Sequence, residues 1–250
     1  MIKALLLLFS FLKFGKLLTT GGTMLLSVFA YSLIWGWRYA AGFVVLIFVH
    51  EMGHYLAAKQ RGLNTGAPMF IPFVGAWIEL KDQPMNAETE AYIGYAGPLL
   101  GTIGALACYF YARYTGERLF FALAYAGFFL NLFNLIPLSP FDGGRITAVL
   151  SPRIWFVGVP VLIGLFVWRP SPLLILMALF AAPQLYKAFR HDPSDPEIQR
   201  YYGTSLETKI TYGFYYLALL AFLAVMCYDL HEMLEHHRSA LLLGLPVSVA

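Results

Sequence analysis

The chain has 250 residues, of which 59% are hydrophobic, 17% aromatic and only 12% charged. Soluble domains carry about 25% charged residues, so a water-soluble globular fold is excluded and one membrane domain is implied. A net charge of +3 is too small to point to a nucleic-acid partner. The two cysteines, Cys108 and Cys227, lie inside apolar runs and read as small core residues, not as a disulfide or a CxxC metal site.

Met1–Leu18 has lysines at positions 3, 13 and 16 on both sides of its apolar stretch and lacks a small-residue cleavage site. It reads as an interfacial helix and not as a cleavable leader. Thr23–Trp37 is a first, rather short span. Gly36 and Arg38 mark a tight connection into Tyr39–Ala58, a second span that ends at Lys59-Gln60-Arg61-Gly62. Inside that second span lies His50-Glu51-Met52-Gly53-His54. On a helix His50 and His54 share a face, one turn apart. This is the HExxH spacing, in which two imidazoles bind a zinc ion and the glutamate acts on its water. Three ionisable side chains in a membrane-grade apolar run are costly, and such residues mark function.

Residues 66–83 are too broken by Pro68, Pro72 and Gly75 to form a regular helix and too apolar for an ordinary loop. Two readings stay open. One is an interfacial loop; the other is a hairpin or re-entrant segment whose strand edge pairs with an unfolded substrate. Asp82–Glu90 is a polar linker, and Ala91–Tyr114 a span carrying Gly94, Gly97-Pro98, Gly101 and Gly104. Glycines at such intervals let helices approach closely and are read as packing. Leu119–Leu138 is a further span with Asn131 and Asn134 before Pro137, and Ser139–Arg145 is a break with Asp142 at its tip. Ile154–Trp168 and Leu173–Ala188 follow as apolar helices, then a polar loop at His191–Lys209 and a last clear span at Ile210–Tyr228. The apolar tail Ser239–Ala250 receives no assignment.

The fold class expected is therefore an all-α polytopic membrane protein, with about six to seven transmembrane helices and a short membrane-associated β-hairpin or re-entrant segment. It forms a single membrane domain: residues 1–38 hold the N-terminal interfacial helix and first span, 39–150 the catalytic core, and 151–250 accessory helices. With the N-terminus cytoplasmic, the outer face receives Arg38, Arg113, Arg118, Arg169 and Arg238, and the other twelve of the 17 Lys and Arg fall inside. The positive-inside rule favours that orientation, which puts HExxH and Asp142 together at the cytoplasmic side.

Catalytic zinc takes three protein ligands and leaves a fourth position for water. Asp142 is the best third candidate, since Pro137 and Pro140 end the preceding helix and Gly143-Gly144 leave the backbone free to turn its carboxylate inward. Glu51 would take a proton from the water and pass it to a leaving amine, with Asn134 as a possible second donor to the polarised carbonyl. Against this stand blander readings. The histidine pair could satisfy itself in helix–helix hydrogen bonds, which leaves Glu51 unexplained; Asp142-Gly143 could be only a turn signal; Asn131 reads as interhelical glue. The cluster His231-Glu232-Met233-Leu234-Glu235-His236-His237 misses an inverted zinc motif by one residue and reads as a solvated juxtamembrane helix.

His50-Glu51-Met52-Gly53-His54, the segment Ala96-Gly97-Pro98-Leu99-Leu100-Gly101, and Asn134-Leu-Ile-Pro137-Leu-Ser-Pro140-Phe-Asp142-Gly143-Gly144 together resemble the signatures of the site-2 protease family of intramembrane zinc metalloproteases, peptidase family M50. Some members carry Asn where this chain has Gly101, and no loop here is long enough for the PDZ or CBS domain of many relatives. The resemblance covers about residues 39 to 150. It implies one zinc ion held by His50, His54 and Asp142, with Glu51 as general base and Asn134 as a substrate or oxyanion contact. It also implies that Met69–Lys81 is the strand segment that meets the substrate. The partners it implies are transmembrane protein substrates and the lipid bilayer; the lack of a targeting segment and of soluble domains points to a bacterial or archaeal plasma membrane, with an organelle as the alternative, and the oligomeric state stays open. Two rivals remain: an HExxH protease with glutamate as third ligand, and a non-catalytic membrane metal-binding or transport protein.

Overall fold

The computed structural model describes residues 2–77, 84–190, 192 and 194–242, with side chains left aside for 2–18, 77 and 237–242. The expected strand segment Met69–Lys81 therefore lies partly, and the apolar tail Ser239–Ala250 largely, outside the described residues. Helix α1 (Ile2–Trp35) runs unbroken through the stretch read as an interfacial helix followed by a short span. It stops at Gly36, whose φ of 80° suits a residue without a Cβ, and α2 (Trp37–Gln60) starts at once.

Two short antiparallel strands, β1 (Met69–Ile71) and β2 (Gly75–Trp77), follow as a hairpin with Phe70 opposite Ala76. Three hydroxyls on one side of α1 hold it. Thr20 Oγ1 donates to the Pro68 carbonyl (2.8 Å), Thr23 Oγ1 accepts from the Phe70 N–H (3.2 Å), and the Tyr31 hydroxyl accepts from the Phe73 N–H (3.0 Å). Phe70 is buried with Tyr31, Ala40, Val44 and Ile47, so the hairpin sits against α2 just N-terminal to its histidines. The segment is a hairpin packed on helices, the second of the two readings of its shape.

Helix α3 (Ala87–Thr115) opens on an Asn86 cap whose side chain accepts from Thr89 N–H, with Glu88 and Glu90 in the first turn where the helix dipole favours anions. It passes through Pro98 without ending and stops at Gly116. Then come α4 (Arg118–Asn134), α5 (Asp142–Ala148), a 3₁₀ turn at Pro152–Ile154, α6 (Trp155–Trp168), α7 (Pro172–Phe189), α8 (Pro196–Tyr202) and α9 (Leu206–Leu242). Helix α3 lies between α2 and α4, and α9 packs on α4 through Phe128, Leu219, Leu223 and Cys227. Both cysteines are free, and both belong to that core.

Among the described residues four helices are long and apolar enough to cross a membrane: α2, α3, α7 and residues 206–236 of α9. Exposed Phe110, Leu179 and Phe214 on α3, α7 and α9 provide the apolar faces that lipid covers. The molecule is an integral membrane protein, all-α apart from the hairpin. The expected six to seven spans are more than the four found among the described residues. Helices α4 and α6 are apolar but shorter. Helix α4 stops at Asn134 because a proline follows at 137 and again at 140.

Candidate metal centre

His50 and His54 project from α2 into a buried space bounded by α3, α4 and α5, and Asp142, the first residue of α5, meets them there. The His50 and His54 Nε2 atoms are 3.1 Å apart; Asp142 Oδ2 is 3.1 Å from His50 Nε2, and Oδ1 is 3.2 Å from His54 Nε2. No other group of three or more His, Cys, Asp or Glu placed to hold a metal ion occurs among the described residues.

The protonation of both rings follows from their far sides. Asn131 Nδ2 donates to the Gly127 carbonyl (2.7 Å), which leaves Asn131 Oδ1 to accept from His50 Nδ1 (2.8 Å). The Ile93 carbonyl can only accept, so His54 Nδ1 donates to it (2.8 Å). Each neutral ring thus carries its proton on Nδ1 and points the Nε2 lone pair inward. With both rings neutral, two lone pairs and a carboxylate converge, which is repulsive unless a cation or a proton lies among them. Ligands at about 2.0–2.1 Å in a tetrahedral site are spaced about 3.3 Å from one another, close to the three separations found. The residues present fit a divalent metal.

The glycines sit where the ring planes and helix backbones must pass. A Cβ on Gly97 would lie 2.2 Å from His54 Nε2, on Gly101 2.3 Å from Asn131 Oδ1, and on Gly53 2.2 Å from the Ala96 carbonyl oxygen. These positions pack helices, as the spacing suggested, and they also make the room in which His54 and the amide behind His50 stand. Gly143 and Gly144 act differently from the expectation. Neither has a positive φ. Their Cβ atoms would strike the Leu135 carbonyl at 2.2 Å and the Ser139 nitrogen at 2.3 Å, so they aim Asp142 by letting α5 press against the preceding loop and not by freeing the backbone. Trp155 Nε1 donates to the Gly144 carbonyl (2.8 Å) and holds α5 there.

Glu51 follows His50 on α2 and is 9% exposed, with no hydrogen bond or ion pair among the described residues. Asn134 ends α4 half-buried and makes no described contact with the cluster. The amide that does reach it is Asn131, read from sequence as interhelical glue. Its three-residue offset from Asn134 puts both near one helix face, and only the depth of His50 against α4 selects between them. Asn131→Leu is expected to weaken metal binding by about 10–100-fold, measured by chelator competition, because His50 loses the acceptor that sets its tautomer. His231 lies tilted against the Tyr125 ring, and His236 pairs with Glu232 at 3.9 Å on the exposed end of α9.

Residues 38–117 match the model of peptidase family M50. The chain is 32% identical over 138 residues to Zinc metalloprotease MJ0392 of Methanocaldococcus jannaschii, covering 53% of this chain and 40% of that one. It is 29% identical over 132 residues to Rip3 of Mycobacterium tuberculosis, also named as a zinc metalloprotease, covering 48% of this chain and 33% of that one. The chain thus spans less than half the length of these relatives. The matched stretch contains HExxH, the Gly97-Pro98 helix and the carbonyl behind His54, and over this stretch the chain is similar to peptidase family M50 and to these zinc metalloproteases.

Proposed function

We propose that this protein is an intramembrane zinc metallopeptidase that hydrolyses peptide bonds in or near transmembrane segments of other membrane proteins. The observation that carries the reading is the convergence of two imidazole Nε2 atoms and one carboxylate on a single buried point. In this reading His50, His54 and Asp142 hold one zinc ion. When bound, the ion supplies a Lewis acid that acidifies a water and polarises a carbonyl. Glu51 takes the proton from the attacking water at its carboxylate and delivers it to the leaving amine nitrogen. Asn134, whose amide has no described partner, is the donor offered to the substrate carbonyl. The N-terminus and the site face the cytoplasm, on the charge bias along the chain.

A rival with glutamate as third ligand is not favoured, since the acid beside both histidines is Asp142. Purified protein is expected to contain close to one zinc per chain. Stripping it with a chelator should abolish cleavage of a transmembrane substrate, and zinc should restore it. Cleavage that survives full removal would sink the reading.

A helical substrate hides its amides and must open before cleavage. In this reading the opened strand pairs with the hairpin, and the hairpin register supports one edge for it. The Phe70 N–H points away from β2, into Thr23. Its partner Ala76 therefore directs its own N–H and C=O to the opposite edge, outside β2. Substrate adds there, because α1 already covers the outer side of β1. Ala76→Pro, which removes the outward donor, is expected to lower cleavage about tenfold or more, given about 0.5–1.5 kcal/mol for the bond plus loss of alignment, with zinc content unchanged. Unaltered cleavage would count against pairing at β2.

A further inference from the structure

Asp142 has a neighbour on its own helix that the chemistry above does not use. Arg145, one turn on, places Nη1 3.7 Å from Asp142 Oδ1 and Nε 3.8 Å from Glu90 Oε1 in the first turn of α3. The other Glu90 oxygen accepts a short hydrogen bond from the Tyr201 hydroxyl of α8. Arg145 and Glu90 are about three-quarters buried, with side-chain exposures of 21% and 27%. Gly94 makes the approach possible: a Cβ there would stand 3.0 Å from the Arg145 Cβ. Burial, and then the Glu90 carboxylate, hold the Tyr201 phenol well above its usual range, so it remains a donor. Asp142, Arg145 and Tyr201 all lie beyond the family-matched residues 38–117.

The geometry points to Arg145 as a positioning residue for the third ligand, held in place by Glu90 and, through it, by Tyr201 of the segment joining α7 to α9. The guanidinium spans two carboxylates with two different nitrogens, a fork that a lysine ammonium cannot reproduce. Asp142 alone could rotate its carboxylate about its side-chain bonds; the charge on Oδ1 fixes the face it turns to the two imidazoles. The accessory part of the chain thereby sets the quality of a centre whose other ligands come from α2. Metal affinity, and with it activity, becomes sensitive to anything that lifts α8 from α3.

This inference rests on the reading of the His50–His54–Asp142 cluster as a zinc centre. The test uses the full chain in detergent, with zinc affinity measured by chelator competition and the cobalt-loaded protein's absorption spectrum as a second readout. Arg145→Gln should lose about 10–100-fold in zinc affinity and alter the cobalt bands. Arg145→Lys should recover only part of that loss, and Tyr201→Phe, which removes one hydroxyl, should show a smaller loss of the same kind. Cleavage should fall in kcat with KM unchanged, as for a site mispositioned without loss of substrate contacts. Glu88→Gln, which loses only the more exposed pair with Arg61 at 4.0 Å, should match the parent. Zinc affinity and cobalt spectrum in Arg145→Gln equal to the parent's would overturn the positioning role alone. If that variant does not fold, parent-like values in Arg145→Lys and Tyr201→Phe do the same. A parent that binds no zinc would overturn the metal centre and this role together.

Discussion

Glu51→Gln is expected to retain its zinc and to lose peptide cleavage by about 10²–10⁴-fold, the usual contribution of a positioned general base. The change keeps side-chain size and leaves His50, His54, Asp142 and the two Nδ1 hydrogen bonds untouched. It removes only the capacity to accept a proton. Glu51 is buried and otherwise unpartnered among the described residues, so no structural bond is lost with the charge, and relief of an uncompensated buried carboxylate should leave stability equal or higher. Zinc content and turnover therefore separate cleanly. A variant that keeps both zinc and full cleavage would show that Glu51 does not carry the proton, while loss of zinc together with cleavage would give it a structural role.

The second large effect falls on a residue that touches no ligand bond. Gly97→Ala would put a methyl group 2.2 Å from His54 Nε2, far inside contact distance and against a ring already held at Nδ1 by the Ile93 carbonyl. The ring cannot turn without giving up that bond, and α3 cannot retreat without opening its contact at Gly53, where α2 lies against the Ala96 carbonyl. Overpacking of this kind costs about 1–3 kcal/mol in stability. The cost to metal binding should reach or exceed the roughly hundredfold seen when a ligand loses its supporting contact. Zinc affinity beside the melting temperature measures the two separately. Gly104→Ala is the internal comparison: its nearest contact is a Val49 methyl at 3.1 Å, so it should show a modest stability change and near-normal zinc. Normal zinc in Gly97→Ala would mean that the ring has another position available.

The two histidines and Glu51 were legible because their relation is local. Helical periodicity alone puts His50 and His54 on one face, and the apolar run around them makes three ionisable groups conspicuous. Asp142 was reachable by a longer argument from charge bias and the Pro/Gly break. The supporting contacts were not legible. Nothing in the string distinguishes Asn131 from Asn134, or a glycine that clears a helix from one that clears an imidazole ring, since what each residue faces depends on how far α3 and α4 slide along α2. The same holds for the number of spans. Hydropathy reads apolar length, whereas Pro137 and Pro140 end α4 early and turn the chain back into the site as α5.

By itself, the amino-acid sequence determined the membrane class, the helix that bears the two imidazoles and the acid, and the probe-worthy break at Asp142, because hydrophobicity and helical spacing are properties of adjacent residues. Tertiary structure alone decided what backs the two rings at Nδ1, Asn131 and the Ile93 carbonyl, and the role of Gly143-Gly144 as clearance for α5. It alone brought Arg145, Glu90 and Tyr201 into one chain of contacts behind the carboxylate. Those outcomes depend on distances between segments far apart in sequence, which close packing fixes to a few tenths of an ångström and no local pattern encodes.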